Sequence, residues 1–177
     1  DTDADNDGSL SCDADAITVT DIDGNTYSTA EIGDQTWMSE NLKTTHYNNG
    51  DEIPTGHSDI DWATLSSGAY AVYNDDESNI DTYGNLYNWH IVNDDRGICP
   101  EGWHVPSDDE WTALINYLGE YGPVGGSMKE TGLDYWNSPN AGATNESGFT
   151  SLPGGMRNYI NGGYEQMGAV GIFWSGI

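Results

Sequence analysis

Three aspartates alternate near the start of the chain, Asp3, Asp5 and Asp7, and Gly8 follows them. This spacing is that of a calcium loop. Ca²⁺ takes roughly six to eight hard oxygen ligands, and alternate carboxylates converge on one ion where a glycine permits a sharp turn. The last ligand of an EF-hand is a bidentate acid at the twelfth position of the loop. Counted from Asp3, that position is Ala14, so the match fails there. Asp13 and Asp15 flank it and suit a variant loop. The alternative reading is a solvated acidic linker.

Other carboxylates cluster more loosely. Asp75, Asp76, Glu77 and Asp81 share one loop and form a candidate second cation site, against the alternative of a solvated turn. Asp94 and Asp95 sit together, as do Asp59 and Asp61 near His57. Amide and carboxylate groups also gather at Asn137, Asn140, Asn145 and Glu146, where ligand contact competes with plain turn chemistry. Tyr135, Trp136, Tyr159 and Tyr164 lie in the Gly/Asn-rich part of the chain and are candidates for stacking on a sugar or packing against a partner. The four histidines, His46, His57, His90 and His104, show no metal-ligand spacing. A structural hydrogen bond is expected for His104, and a core or boundary position for His90. Nucleophile-elbow, zincin and P-loop motifs are missing, so the reading is not an enzyme. Cys12 and Cys99 are a candidate disulfide or a pair of unrelated thiols.

Charge narrows the partners. Across 177 residues, 4 basic side chains face 30 acidic ones, a net charge of −26. Nucleic acid needs a basic surface, so it is excluded as a partner, and adsorption to an anionic membrane is disfavoured. Divalent cations or high salt are the natural counter-charges. Seven Trp and eleven Tyr argue for a folded chain over a disordered one. No apolar stretch is long enough to span a bilayer, and no basic start with an apolar stretch marks a signal peptide. The chain starts inside an acidic run and stops at an apolar segment, so a processed or trimmed chain is expected.

Residues 1–16 read as an acidic arm and 17–177 as one folded domain. Ile17 to Thr20, Thr26 to Ser28 and Gln35 to Met38 read as strands, joined by turns at Asp23-Gly24 and Gly33-Asp34. Ser58 caps a short helix, and Ala69 to Tyr73 reads as a buried strand. Helical spacing of Tyr83, Leu86, Tyr87, His90 and Ile91 predicts a helix over 82–92. Ser107 and Glu110 form a capping box for a second helix whose apolar face is Trp111, Leu114, Ile115 and Leu118, with Gly119 closing it. Short strands are expected near Phe149 to Leu152 and Gly171 to Trp174. Trp37, Trp89, Trp103, Trp111 and Trp174 are expected in the core. The class is α+β with short antiparallel strands, two helices and long Gly/Asn-rich loops.

Five segments together carry a family resemblance. They are Ile32-Gly33-Asp34-Gln35-Thr36-Trp37-Met38-Ser39-Glu40-Asn41-Leu42, Tyr83-Gly84-Asn85-Leu86-Tyr87-Asn88-Trp89, Cys99-Pro100-Glu101-Gly102-Trp103-His104-Val105-Pro106-Ser107, Trp136-Asn137-Ser138-Pro139-Asn140, and Asn145-Glu146-Ser147-Gly148-Phe149 followed by Leu152-Pro153-Gly154-Gly155. In this order they resemble the Fibrobacter succinogenes major paralogous domain, over about residues 17–175. The resemblance implies a fold similar to C-type lectins and the formylglycine-generating enzyme, with a binding face of loops. It also implies a secreted or surface protein of bacteria. Members usually continue into a strand whose cysteine pairs with the one matching Cys99, whereas this chain stops at Ile177, leaving Cys12 as a substitute partner. The acidic arm resembles the Asp-rich calcium repeats of thrombospondin type 3. The lectin Glu-Pro-Asn and Trp-Asn-Asp signatures are missing.

The expected function is a secreted, non-catalytic, Ca²⁺-stabilised binding or adhesion module of the bacterial cell surface, with a glycan or surface protein as partner. The alternative is the subunit of an extracellular filament or surface layer, self-associating through calcium and shared strands. A third reading is that acidity reflects only life in high salt.

Overall fold

A computed structural model describes residues 18–119 and 124–176. The acidic arm and Cys12 lie outside the described residues. The domain opens with three antiparallel strands in the order β1-β2-β3: β1 (Thr18–Thr20), β2 (Thr26–Ile32) and β3 (Gln35–Met38). Both turns fall where the sequence places them. At the first, the buried Asp21 carboxylate accepts from the N–H groups of Asp23 and Asn25, each at 2.9 Å, and from the Tyr27 hydroxyl at 2.5 Å. Gly24 there takes φ +85°. At the second, Gly33 and Asp34 alone link the paired residues Ile32 and Gln35, which requires the left-handed φ of +65° that Gly33 adopts.

The middle of the chain is built from single turns. In order come α1 (Asp59–Trp62), β4 (Tyr70–Ala71), 3-10 turns at Tyr73–Asp75 and Glu77–Asn79, α2 (Ile80–Tyr83), β5 (Leu86–Tyr87) and α3 (Trp89–Val92). Ser58 caps α1, accepting from the Asp61 N–H at 3.2 Å. The helix predicted over 82–92 is thus two one-turn helices separated by a strand. Gly84 ends the first at φ +68°, and a Cβ there would lie 2.7 Å from the Leu42 carbonyl. Tyr87 then pairs with Tyr70, so tertiary pairing overrides the helical spacing.

Among the described residues the one long helix, α4 (Asp108–Leu118), carries the expected capping box. Ser107 Oγ accepts from the Glu110 N–H, and Glu110 Oε2 accepts from the Ser107 N–H at 2.8 Å. Leu114 is fully buried, while Ile115, expected on the same face, is 47% exposed. A short α5 (Val124–Met128) follows. The chain closes with the hairpin β6 (Met156–Arg157) and β7 (Tyr164–Glu165). The strands expected at Phe149 to Leu152 and Gly171 to Trp174 do not form. Ser151 makes a single bridge to Lys129, and the last described residues bond through Gly176 N–H to Pro106 carbonyl at 2.7 Å.

Three apolar clusters result. Ile32, Trp37, Leu114, Met128 and Phe149 join β2 and β3 to α4 and α5. Tyr47, Ile53, Ile91 and Ile98 form a second, and Trp62, Ala69 and Ala71 a third. Trp89 and Trp174, expected inside, are 39% and 43% exposed and meet each other, ring centres 5.6 Å apart.

Candidate functional site

Where the chain leaves β3 it turns through Ser39, Glu40 and Asn41, and this turn forms one wall of a polar pocket of about 210 Å³. Asp81, Thr82 and Gly84, at the end of α2, form another wall, and Lys43, Tyr135, Thr150 and Leu152 complete it. Local bonds fix the polar groups. Glu40 Oε1 accepts from the Ser28 N–H at 2.8 Å, and its Oε2 lies 3.8 Å from Lys43 Nζ. Asn41 Nδ2 donates to the Tyr83 carbonyl at 2.8 Å, stitching the turn to α2. The Tyr135 ring stands edge-on to Tyr83, centres 6.3 Å apart. Burial, with the neighbouring Tyr135 adding to it, raises the Tyr83 hydroxyl above its ordinary pKa. Two carboxylates, an ammonium and an aromatic wall therefore share one small concavity. Such a set can accept from and donate to a hydroxyl-rich ligand while a ring face stacks on its C–H groups.

Beside it runs a larger, mainly apolar groove of about 770 Å³. Ser39, Glu40, Asn41, Thr150 and Leu152 line both. Trp37, Leu42, Ile98, Trp103, Phe173 and Trp174 are among its apolar walls, and Gly154 through Arg157 also line it. Cys99 sits on this groove with no disulfide partner among the described residues, and burial pushes its pKa up to about 11. A thiol so raised is protonated at neutral pH and is a poor nucleophile.

The structure brings only part of the sequence-predicted set together. Asp81 and Tyr135 meet in the pocket, joined by Glu40, Asn41, Lys43 and Thr150, which sequence reasoning missed. Glu40 and Asn41 lie inside the family segment that runs from Ile32 to Leu42, and that is the signal the sequence carries for them. The second cation site does not assemble: among the described residues no three His, Cys, Asp or Glu side chains converge to hold a metal. Local partners explain the failure. Asp76 Oδ1 accepts from the Ser78 N–H and hydroxyl, holding its carboxyl below the usual range, and Asp75 accepts from the Tyr164 hydroxyl at 2.6 Å. Glu77 is exposed. The first site, Asp3, Asp5, Asp7, Asp13 and Asp15, lies outside the described residues.

The loop amides do structural work instead of facing the pocket. Asn140 Nδ2 donates to the carbonyls of Glu130 and Gly132 at 2.9 and 3.0 Å. Asn145, at φ +49°, donates to Glu130 Oε2 and Thr150 Oγ1 and accepts from the Thr150 N–H. Asn137 packs against Gly168, bonding to its carbonyl through the backbone at 2.7 Å, and Glu146 is exposed. Trp136, read as a stacking candidate, is buried with its indole N–H on the Ser151 carbonyl at 3.1 Å, so it is a core ring. Tyr164 is tied to Asp75, while Tyr159 stands 79% exposed at the tip of the β6–β7 hairpin. His104 makes the expected bond, Nε2 to Glu110 Oε1 at 2.7 Å, whereas His90 is exposed and bonds to the Leu65 carbonyl.

The chain is thus a mixed α+β domain of short antiparallel strands and single-turn helices that presents a polar pocket beside an apolar groove. It belongs to the Fibrobacter succinogenes major domain family, whose family model matches residues 30–176. No curated protein and no solved structure matches the chain.

Proposed function

We propose that the protein is a secreted, non-catalytic binding or adhesion module of the bacterial cell surface, and that its polar pocket takes a saccharide. The observation that carries this reading is the pocket, where Tyr135, 41% exposed, faces a concavity shared with Glu40, Asp81 and Lys43. At about 210 Å³ it is smaller than the roughly 300–1,000 Å³ of drug-sized sites, which favours a single sugar ring. A saccharide is neutral and hydroxyl-rich, so a net charge of −26 does not repel it. The C-type-lectin-like architecture is part of this proposal. So is calcium, held by Asp3, Asp5, Asp7, Asp13 and Asp15 and supplying charge neutralisation to the acidic arm. A glycan array probed with the protein in millimolar calcium tests the reading. Binding of defined saccharides that Tyr135→Ala abolishes is expected, and an array without signal overturns it.

One observation favours a second reading, a filament or surface-layer subunit assembled by calcium and shared strands. It is the apolar groove of about 770 Å³, a surface of the kind that docks a partner. Negative-stain microscopy with calcium and after chelation checks it: fibres that dissolve on chelation support it, and single particles in both conditions exclude it.

A further inference from the structure

The charges on the polar pocket do not cancel. Glu40 and Lys43 offset each other, Oε2 to Nζ at 3.8 Å, and the other Glu40 oxygen is taken by the Ser28 N–H. Asp81 lines the same pocket, stands exposed, and makes no hydrogen bond or ion pair among the described residues. The lining therefore keeps one net negative charge. The chain has only 4 Lys and Arg, and each is engaged elsewhere. Lys43 faces Glu40, Lys129 the Ala141 carbonyl and the Trp136 ring, Arg96 faces Asp51 and Asp94, and Arg157 faces Asp59. A positive charge beside Asp81 is thus brought by solvent ions or by the ligand.

We infer that the pocket selects a hexose bearing a free amino group, whose ammonium donates to the Asp81 carboxylate while its ring packs on Tyr135. This rests on the saccharide reading and narrows it. A chain at −26 tolerates a neutral ring, attracts an ammonium-bearing one and repels a uronic acid. Lys43, largely buried and already paired with Glu40, leaves a ligand carboxylate without a free cation to meet. The aromatic wall adds to the preference, because a ring face attracts a cation as well as C–H groups. The rest of the lining favours a sugar over the lysine side chain of a protein partner. Ser39, Thr82 and Thr150 offer hydroxyls to a hydroxyl-rich ring, whereas a lysine stem of methylenes asks for apolar walls.

The test is ligand-observed NMR titration of the full chain at mildly acid pH, where an alkylamine is charged and carboxylates stay ionised. The probes are glucose, galactose and mannose, their amino forms glucosamine, galactosamine and mannosamine, the N-acetylated amino forms, and glucuronic acid. Because Asp81 is exposed, an amino hexose should bind about fivefold more tightly than its neutral and N-acetylated counterparts at low salt, and the gap should close as salt rises. Glucuronic acid should bind most weakly. Asp81→Asn, which keeps the shape of the side chain and breaks no bond, should erase the preference and leave neutral hexoses unaffected. Glu101→Gln, the same loss of charge at an exposed position off the pocket, should leave the preference intact. Equal binding of amino and neutral hexoses, or a preference that survives Asp81→Asn or falls equally with Glu101→Gln, overturns the inference and keeps the saccharide reading. Nα-acetyl-lysine methylamide binding as tightly as the amino hexoses also overturns it and assigns the pocket to a partner's lysine. Failure of every sugar to bind removes the saccharide reading and this inference together.

Discussion

Between Thr18 and Met38 the backbone bonds to itself in ladders, whereas between Met128 and Leu152 side chains supply much of the bonding. In the first region the register runs unbroken from Thr29–Met38 to Ile32–Gln35, and it places Ile32 and Trp37 in the core beside Leu114. In the second, Asn140, Asn145 and Ser147 reach across to carbonyls and hydroxyls of other loop segments, and Trp136 anchors on Ser151. The difference teaches how a Gly/Asn-rich loop can be firm without strands. Each amide replaces ladder bonds by donating twice, and left-handed positions such as Asn145 and Thr150 turn the chain sharply. The pocket sits on the seam, since Ser39 to Asn41 follow the ladder region and Thr150 and Leu152 close the loop region.

The largest expected effect lies in the ladder-backed core. Leu114→Ala, at a fully buried position, should destabilise by about 2–5 kcal/mol in denaturant melts, since it leaves a cavity against Trp37 and Met128. Asn145→Gly keeps the left-handed φ yet strands the Thr150 N–H, and should cost about 1–3 kcal/mol. Because Thr150 lines the pocket, the same variant should also weaken saccharide binding, which no core substitution of equal stability should do. Ser107→Ala removes the capping box and should cost about 1 kcal/mol, read as a lower melting temperature.

The smallest effect is a pH dependence. The Arg96 guanidinium beside Asp94 holds its carboxyl down at about 2, below its unfolded value of roughly 3.9. A carboxylate depressed in the folded state stabilises above its unfolded pKa, and that contribution is lost as pH falls through about 2. Arg96 is 39% exposed, so the slope between roughly pH 4 and 2 should be shallow and salt-sensitive, and Asp94→Asn should flatten it further in acid melts.

Legibility follows the same divide. The two hairpin turns, the three first strands and the Ser107–Glu110 capping box were readable because each is set by neighbours in sequence. The 82–92 segment was misread because β5 pairs with Tyr70, which no local periodicity reports. Trp136 was misread because its burial depends on Ser151, fifteen residues away. In the pocket, Asp81 and Tyr135 were singled out by type, but their meeting with Glu40 and Lys43 is set by the fold alone. The family was legible through its ordered motifs, and the match over residues 30–176 agrees with them.

The most direct test of the saccharide pocket is calorimetric titration of a glycan-array ligand into the wild-type protein and into Tyr135→Ala. Tyr135 is 41% exposed, so the variant should melt at the wild-type temperature and bind at least about tenfold more weakly. Equal affinity in the two proteins would contradict the assignment of this pocket.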